Sequence, residues 1–254
     1  MKPVIVLTRE RKESQEMMQK FGNANYKFIV CPMIKIIRQK SWKLCDLKIN
    51  NLASYHGVVF TSKHGVSYFL SRVKLKGLFE ELKRIDIFSV GEKTAAVIKQ
   101  MQLRCESLPD RYNAEELVKS IIKNKKEIGK LLVVKGDLSR DELSMGLKNF
   151  GIEVEEVIVY RNERVLVSRK IRDYLLKELS CRARIRIIVF FSPSAVKNFF
   201  SQLEWVIKEE GISYAAIGKT TEGALKEIGL RADIMPIHST TESMIQAINR
   251  YIYG

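Results

Sequence analysis

Short apolar runs alternate along the chain with longer segments in which apolar residues recur every three or four positions. The runs are too short for helices and are typical of parallel strands that are covered on both faces. The segments between them have the period of amphipathic helices. This alternation predicts an α/β fold in which helices flank parallel sheets. The runs read VIVL, GVVF, IFSV, LLVV, IIVF and YAAI.

The pattern is written twice. VVFTSKHGVSYFL, at 58–70, is echoed by IVFFSPSAVKNFF, at 188–200. VGEKTA, at 90–95, is echoed by IGKTTE, at 217–222. A weaker duplicated segment precedes each copy and contains a strand, a helix ending at Phe-Gly and a second strand. The paired positions stay 126 to 130 residues apart, so we interpret the chain as an internal duplication with two similar domains.

Each copy also predicts a further helix that begins with a capping box. In such a box a polar side chain and a glutamate three residues later each bond to the other's backbone N–H group. The predicted boxes pair Asn113 with Glu116 and Ser239 with Glu242.

Hydroxyl residues and glycines follow four of the apolar runs, where a strand should end and a helix begin. Ligands gather at the carboxyl ends of parallel strands, and a helix start binds anions through its free N–H groups and dipole. For any one loop, an ordinary helix cap is the alternative. Their recurrence in both halves predicts one anionic ligand held between two domains. The predicted binding residues are Thr61, Ser62, His64, Gly91, Thr94, Ser192, Ser194, Gly218, Thr220 and Thr221.

Composition supports an anionic partner. The 254 residues carry a net charge of +15, which favours nucleic acid, a membrane surface or a multiply charged small molecule; a basic, solvated surface is the alternative. No nucleic-acid motif is present, and no apolar run is long enough to span a membrane. The N-terminal run predicts a buried strand rather than a signal peptide. The four cysteines lack metal-binding or disulfide spacing, which favours reduced thiols in the cytoplasm.

Conventional catalytic groups are scarce. The three histidines form no recognisable triad or metal site, and no carboxylate pair stands out as an acid–base couple. GKT, at 218–220, lacks the glycine spacing of a phosphate-binding loop. The residues therefore predict a site that binds and shapes an anion, with no metal.

Taken in order, the repeated motifs resemble the uroporphyrinogen-III synthase family over essentially the whole chain. The resemblance implies two α/β domains joined by a two-stranded antiparallel linker. The first domain would combine 1–34 with 163–254, and the second would be 38–157. The linker strands would lie around 32–37 and 157–162. The motifs are VVFTSKHGV, SVGEKTAAVIKQ, NAEELVKSI, VEEVIVYRNE, IVFFSPSAVKNFF and AAIGKTTEGALKEIGL.

The resemblance implies a lyase of porphyrin and heme biosynthesis that needs no cofactor. Such an enzyme cyclises hydroxymethylbilane, a linear tetrapyrrole with eight carboxylates, to uroporphyrinogen III with loss of water and inversion of ring D. Tyr160 is then the candidate to assist the departing hydroxyl, and Arg9 could meet a substrate carboxylate. His64 and the pair Lys135-Gly136 depart from the family's usual residues, which leaves the individual carboxylate contacts open.

A cytoplasmic monomer is expected, with transient contacts to neighbouring enzymes of the tetrapyrrole pathway and with neither nucleic acid nor membrane as a partner. Two alternatives stay open at this point. One is a non-catalytic two-domain binder of a small polyanion, which would have the same helix starts without the chemistry. The other is a nucleic-acid-binding protein, whose binding would depend steeply on salt.

Overall fold

A computed structural model describes residues 2–22, 26–106, 114–124, 128–139 and 141–254. The contacts of the chain divide it into two compact units. Unit 1 combines Met1–Lys35 with Glu163–Gly254, and unit 2 is Ile36–Asn162.

The apolar runs of the sequence fall on or overlap the strands of the structure. The strands are β1 (Val4–Leu7), β2 (Lys27–Val30), β3 (Ile34–Arg38), β4 (Gly57–Phe60), β5 (Asp86–Ser89), β6 (Leu131–Gly136), β7 (Val154–Arg164), β8 (Arg186–Phe190) and β9 (Ile212–Ala216).

The periodic segments form the helices, and short 3-10 turns lie at Leu52–Ser54 and Glu204–Lys208. The α-helices are α1 (Arg11–Lys20), α2 (Lys43–Asn50), α3 (Lys63–Leu75), α4 (Phe79–Leu82), α5 (Glu92–Gln100), α6 (Ala114–Asn124), α7 (Glu142–Asn149), α8 (Arg169–Leu179), α9 (Pro193–Phe200), α10 (Lys219–Lys226) and α11 (Thr241–Tyr253).

Unit 1 is a parallel sheet with the strand order β2-β1-β8-β9. Side chains alternate between its faces because successive residues of a strand point in opposite directions. Val4 and Val6 pack with residues of α8, α9 and α10, whereas Ile5 and Leu7 pack with residues of α1 and α11. Both faces are therefore buried, which explains why the strands read as continuous apolar runs.

Unit 2 repeats this plan with the strand order β3-β7-β6-β4-β5. The pairs β6–β7, β4–β6 and β4–β5 are parallel. Val58 and Phe60 pack with residues of α2, α3 and α5, and Val59 packs with residues of α6 and α7. The predicted α/β fold with helix-covered parallel sheets is confirmed.

The chain leaves unit 1 within β3 and returns at the end of β7, and these two strands are neighbours. The N–H of Gln39 donates to the carbonyl of Val159 at 3.4 Å, and the N–H of Val165 donates to that of Met33 at 3.2 Å, a register that only antiparallel strands produce. β7 also pairs in parallel with β6 from Val154 onward. The linker strands are thus continuous with the sheet of unit 2.

One predicted capping box is wrong. α11 begins at Thr241, and its cap is Thr240, whose hydroxyl oxygen accepts from the N–H of Ser243 at 3.1 Å. Ser239 lies one residue too early; its hydroxyl sits beside Gly218, where an added Cβ would come within 2.9 Å of it. The other predicted cap, Asn113, lies outside the described residues.

Within the described ranges, no helix is both long and apolar enough to cross a membrane.

Candidate active site

Four strand-to-helix loops carry the predicted binding residues, and all four begin helices at the carboxyl ends of parallel strands. β4 leads to α3, β5 to α5, β8 to α9 and β9 to α10. The residues that cap these helices are Ser62, Gly91, Ser192 and Gly218. The loops thus provide two helix starts in each unit, each with the positive dipole end that favours an anion.

The two serine loops are built alike. Ser62 accepts a hydrogen bond from the N–H of Gly65 at 3.0 Å, and Ser192 accepts one from the N–H of Ala195 at 3.2 Å. Each cap satisfies one of the four N–H groups that a helix start leaves without an intrahelical partner. The remaining first-turn groups can therefore turn to a ligand.

The two glycine loops differ from the serine loops because no side chain caps them. Their backbone is extended, with φ of −149° at Gly91 and −178° at Gly218, so neither glycine is needed for a left-handed turn. A side chain at position 218 would displace the hydroxyl of its neighbour Ser239, because an added Cβ would lie 2.9 Å from that oxygen. Open backbone at these starts suits the close approach of an anionic group.

The remaining predicted loop residues differ in accessibility. Thr94 and Thr221 are only 6% and 1% exposed, and direct ligand contact stays a prediction for both. Thr61 is half-buried and its hydroxyl donates to the carbonyl of Val134 at 3.2 Å. Ser194 is half-buried and Thr220 is exposed.

Tyr160 lies beside the Ser62 helix start. The hydroxyl of Ser62 donates to the hydroxyl oxygen of Tyr160 at 3.0 Å. The Tyr160 ring is stacked on Tyr68, with centroids 6.2 Å apart and planes at 24°, and the His64 ring is 6.0 Å away. Tyr160 is only 7% exposed, so its ring is held in one place by its neighbours.

Gly136 lies directly against the ring of Tyr160. A Cβ at this position would lie 2.7 Å from the Tyr160 hydroxyl oxygen and closer still to its ring carbons. The pairing of β6 with β7 shifts here, because Lys135 faces Ile158 but Gly136 faces Tyr160. This irregularity aims the phenol over the glycine, as bulges next to active sites often do.

The hydrogen bonds around the Tyr160 hydroxyl determine whether it can donate its own proton to a ligand. The Ser62 hydroxyl oxygen accepts a hydrogen bond from the N–H of Gly65, and the Ser62 hydroxyl donates one to the hydroxyl oxygen of Tyr160. A phenol is both a donor and an acceptor, so accepting from Ser62 leaves the Tyr160 proton for another acceptor. The arrangement therefore presents a positioned donor next to a helix start that is a candidate anion site.

Lys135 adds a buried cation near the end of β6. Its side chain is 8% exposed, and its Nζ lies 2.5 Å from Asp141 Oδ1 and 2.9 Å from Glu156 Oε2. Burial opposes the charge of this lysine, but hydrogen bonds to Asp141 and Glu156 outweigh burial and raise its pKa. Lys135 thus stays charged and holds the strand end that carries Gly136.

Arg9, the predicted carboxylate ligand of unit 1, is already engaged. Its Nε and Nη2 lie 3.0 and 2.7 Å from Glu13 Oε2, and its Nη1 donates to Thr241 at 3.0 Å. The guanidinium also stacks 4.3 Å from the centroid of the Phe191 ring. The predicted contact of Arg9 with a carboxylate ligand would therefore have to be shared with Glu13.

Sequence reasoning missed Tyr68 and the supporting role of Gly136. Tyr68 stands in the first copy of the repeat where the second copy has Asn198, and this break in the duplication was the available signal. Within the described residues, no group of three or more side chains is arranged to hold a metal ion.

Comparisons with known proteins agree with one another. The family model described as uroporphyrinogen-III synthase HemD matches residues 15–246. The chain is 28% identical to the uroporphyrinogen-III synthase of Chlorobaculum parvum, covering 98% of each chain. It is 29% identical to the putative uroporphyrinogen-III synthase of Methanocaldococcus jannaschii, covering 96% of this chain and 97% of that one.

Solved structures share the fold. The uroporphyrinogen-III synthetase of Helicobacter pylori matches with a TM-score of 0.70 at 17% identity, covering 99% of this chain and all of that one. A mutant uroporphyrinogen III synthase of Thermus thermophilus matches with a TM-score of 0.66 at 16% identity, covering 98% of each chain.

Proposed function

The chain belongs to the uroporphyrinogen-III synthase family, and from this premise we propose that it cyclises hydroxymethylbilane to uroporphyrinogen III with inversion of ring D and loss of water. The family makes it a lyase of porphyrin biosynthesis. The observation that carries the proposed mechanism is the Tyr160 hydroxyl, which accepts from Ser62 at 3.0 Å beside a helix start.

In the proposed reaction, Tyr160 donates its proton to the hydroxyl of the ring A hydroxymethyl group as the carbon–oxygen bond breaks. Water leaves, and the remaining methylene forms an azafulvenium cation with the pyrrole. The substituted carbon of ring D attacks this cation to give a spiro intermediate, which fragments and recloses at the other side of ring D. The final closure releases a proton, so the phenol is restored.

Substrate carboxylates are proposed to bind at the helix starts. Each start contributes up to about 2 kcal/mol to a bound anion, and the net charge of +15 adds attraction at longer range. Backbone contacts would come from the loops capped by Ser62, Gly91, Ser192 and Gly218, and side-chain contacts from exposed or half-buried hydroxyls such as Thr220 and Ser194. Holding the flexible chain in one geometry is the larger part of the catalysis in this proposal.

We further propose that the enzyme acts as a cytoplasmic monomer that contacts neighbouring tetrapyrrole enzymes transiently. The reason for the transient contacts is chemical. Hydroxymethylbilane closes by itself without inversion, so a short path from the enzyme that supplies it would protect the yield of the type III isomer. Neither a cofactor nor a metal takes part in the proposed steps.

A coupled assay tests the proposal. Hydroxymethylbilane is supplied with the protein, and the oxidised products are separated by isomer. Type III product at a rate proportional to enzyme concentration is expected. Type I product alone, at the rate without protein, would leave the chain as a binder of polyanions and overturn the proposal.

A further inference from the structure

A groove in unit 1 lies away from the loops described above. It has a volume of about 600 Å³ and follows the outer edge of β2, the edge strand of its sheet. Residues of β2 and α8 line it, together with Arg11 at the start of α1. Phe28 belongs to the core beneath α1 and α11, and Ile29 belongs to the core beneath α8. The groove is therefore the sheet edge itself, open between the helices on its two faces.

Backbone groups are available along this edge. The N–H of Lys27 donates to the carbonyl of Pro3, and that of Cys31 donates to that of Leu7. Because bonding residues alternate along a parallel strand, Phe28 and Val30 direct their N–H and carbonyl groups away from β1. Across the described ranges of the chain, no hydrogen-bond partner occupies these outward groups. Such an edge can accept a further strand.

The duplication supplies an internal reference for this edge. Ile5 faces Phe28 in unit 1, and Leu131 faces Val154 in unit 2, so β2 and the start of β7 are equivalent strands. Unit 1 has Phe28-Ile29-Val30 where unit 2 has Val154-Glu155-Glu156. Charged side chains are a common protection of edge strands, and β2 lacks them along these three residues.

The two glutamates of unit 2 are also fully engaged. Glu155 forms ion pairs with Lys48 and Lys130 and accepts from the Tyr55 hydroxyl at 2.6 Å. Glu156 pairs with Lys135 at 2.9 Å. The start of β7 in unit 2 therefore carries paired charges, whereas the equivalent strand of unit 1, β2, has apolar residues at these positions.

The rim of the groove determines what it would bind. Arg11, Lys170 and Lys177 are exposed and have no ion-pair partner in the described part of the chain. The acid on the same rim, Asp173, lies 3.8 Å from Arg169. An apolar floor between unpaired cations complements a segment that alternates apolar and acidic residues. Pairing of β2 with β2 of a second copy would instead bring these cations face to face.

We propose that β2 is a docking site for an extended, acidic segment of a partner protein, which adds to the sheet of unit 1 as a further strand. Its apolar side chains would enter the groove beside Ile171 and Tyr174, and its carboxylates would meet Lys170 and Lys177. This inference does not depend on the proposed reaction, because the lining residues belong to none of the four loops.

The probe is a fluorescent octapeptide of alternating valine and glutamate, titrated into the full chain. We expect saturable binding that weakens about tenfold or more in the variant Lys170→Glu/Lys177→Glu, since two favourable charge contacts become repulsive. The matched control is Lys2→Glu/Arg250→Glu, which changes the net charge equally at exposed positions outside the groove. Equal binding by the two variants would overturn the proposal.

Amide exchange tests the strand pairing itself. Bound peptide should slow exchange of the Phe28 and Val30 amides by about tenfold or more, because those groups become hydrogen-bonded. A control peptide with two valines replaced by proline, which removes N–H donors, should not protect them. Peptide binding that leaves exchange of the Phe28 and Val30 amides unchanged would contradict strand addition. So would self-association through β2, or tighter binding of the fatty acid dodecanoate, which has an apolar chain and a carboxylate but no backbone groups. The synthase assay on the same variants separates this result from the proposed function.

Discussion

Both units contain candidate anion-binding loops of the same kind, but the residues beside these loops differ. Ser62 and Ser192 have nearly the same backbone angles, with φ of −158° and −162° and ψ of 155° in both. Ser62 also donates to Tyr160. At the 126-residue offset of the flanking repeat, unit 1 has Ile34 in place of Tyr160. The repeat therefore provides the same loop geometry twice, whereas the proposed proton donor lies where the two copies differ.

The largest expected effect comes from removing the hydroxyl that distinguishes unit 2. Tyr160→Phe should lower kcat by about a hundredfold or more, the usual contribution of a positioned proton donor, and leave KM nearly unchanged. The share of type I product should rise, because unassisted closure then competes. Product analysis under saturating substrate measures the turnover rate and the share of type I product. Tyr214→Phe, a buried tyrosine of unit 1, should keep the rate; an unchanged rate for Tyr160→Phe would make that tyrosine a packing residue.

A somewhat smaller effect is expected from filling the space beneath the phenol. Gly136→Ala would force the Tyr160 ring aside, and overpacking of this kind costs about 1–3 kcal/mol of unfolding free energy. Turnover should fall with it, because the phenol leaves Ser62. Gly223→Ala in α10 is the control, since nothing lies within 4 Å of its added methyl group. Denaturant unfolding and steady-state kinetics measure the pair, and equal behaviour of the two variants would refute the role of Gly136.

The serine pair sharpens the comparison further. Ser62→Ala and Ser192→Ala should each lose about 1 kcal/mol of stability, because each removes a helix cap. Only Ser62→Ala should also lower kcat, by about fivefold, since the net value of one hydrogen bond is about 1 kcal/mol. Ser192→Ala should act on KM. Equal losses of kcat in both variants would mean that the two loops contribute in the same way.

The smallest expected effect concerns pH. Hydrogen bonds from Lys130, Lys48 and Tyr55 lower the pKa of Glu155 from its usual 4.5 to about 2. A lowered folded-state pKa gives stability that is present above the ordinary value and is lost as pH falls toward about 2. Unit 1 has Ile29 at the equivalent position and lacks this contribution.

The unfolding free energy, measured from pH 6 down to pH 2.5, checks this prediction. Glu155→Gln should flatten the decline below pH 4.5 by a few tenths of a kcal/mol to about 1 kcal/mol, the range of partly exposed ion pairs. An identical decline in wild type and variant would mean that other carboxylates carry the acid sensitivity.

The fold was accessible from the sequence because its determinants are local. A four-residue apolar run such as VIVL and the helical period after it indicate a strand and a helix without knowledge of the rest of the chain. The cap of α11 was less accessible, since Ser239 and Thr240 are both residues that cap helices and only the structure shows that Thr240 is the cap.

The candidate site was predictable only in part, for a related reason. Tyr160 came from the resemblance to a family, and the helix starts came from the repeat. The contact of Tyr160 with Gly136 depends on the register shift between β6 and β7, and register between distant segments leaves no periodic trace in the sequence. The apolar edge of β2 was visible as FIV, but its position at the margin of a sheet follows only from the strand order.

The division of unit 1 into two segments of the chain has a consequence for synthesis on the ribosome. Unit 2 is one continuous stretch, Ile36–Asn162, and its sheet can assemble as soon as that stretch has emerged. Unit 1 needs β8, which follows the whole of unit 2 along the chain, to flank β1. Until then the apolar residues of β1 lack their neighbour β8, so this part of unit 1 exposes hydrophobic surface for longer than the sheet of unit 2 does.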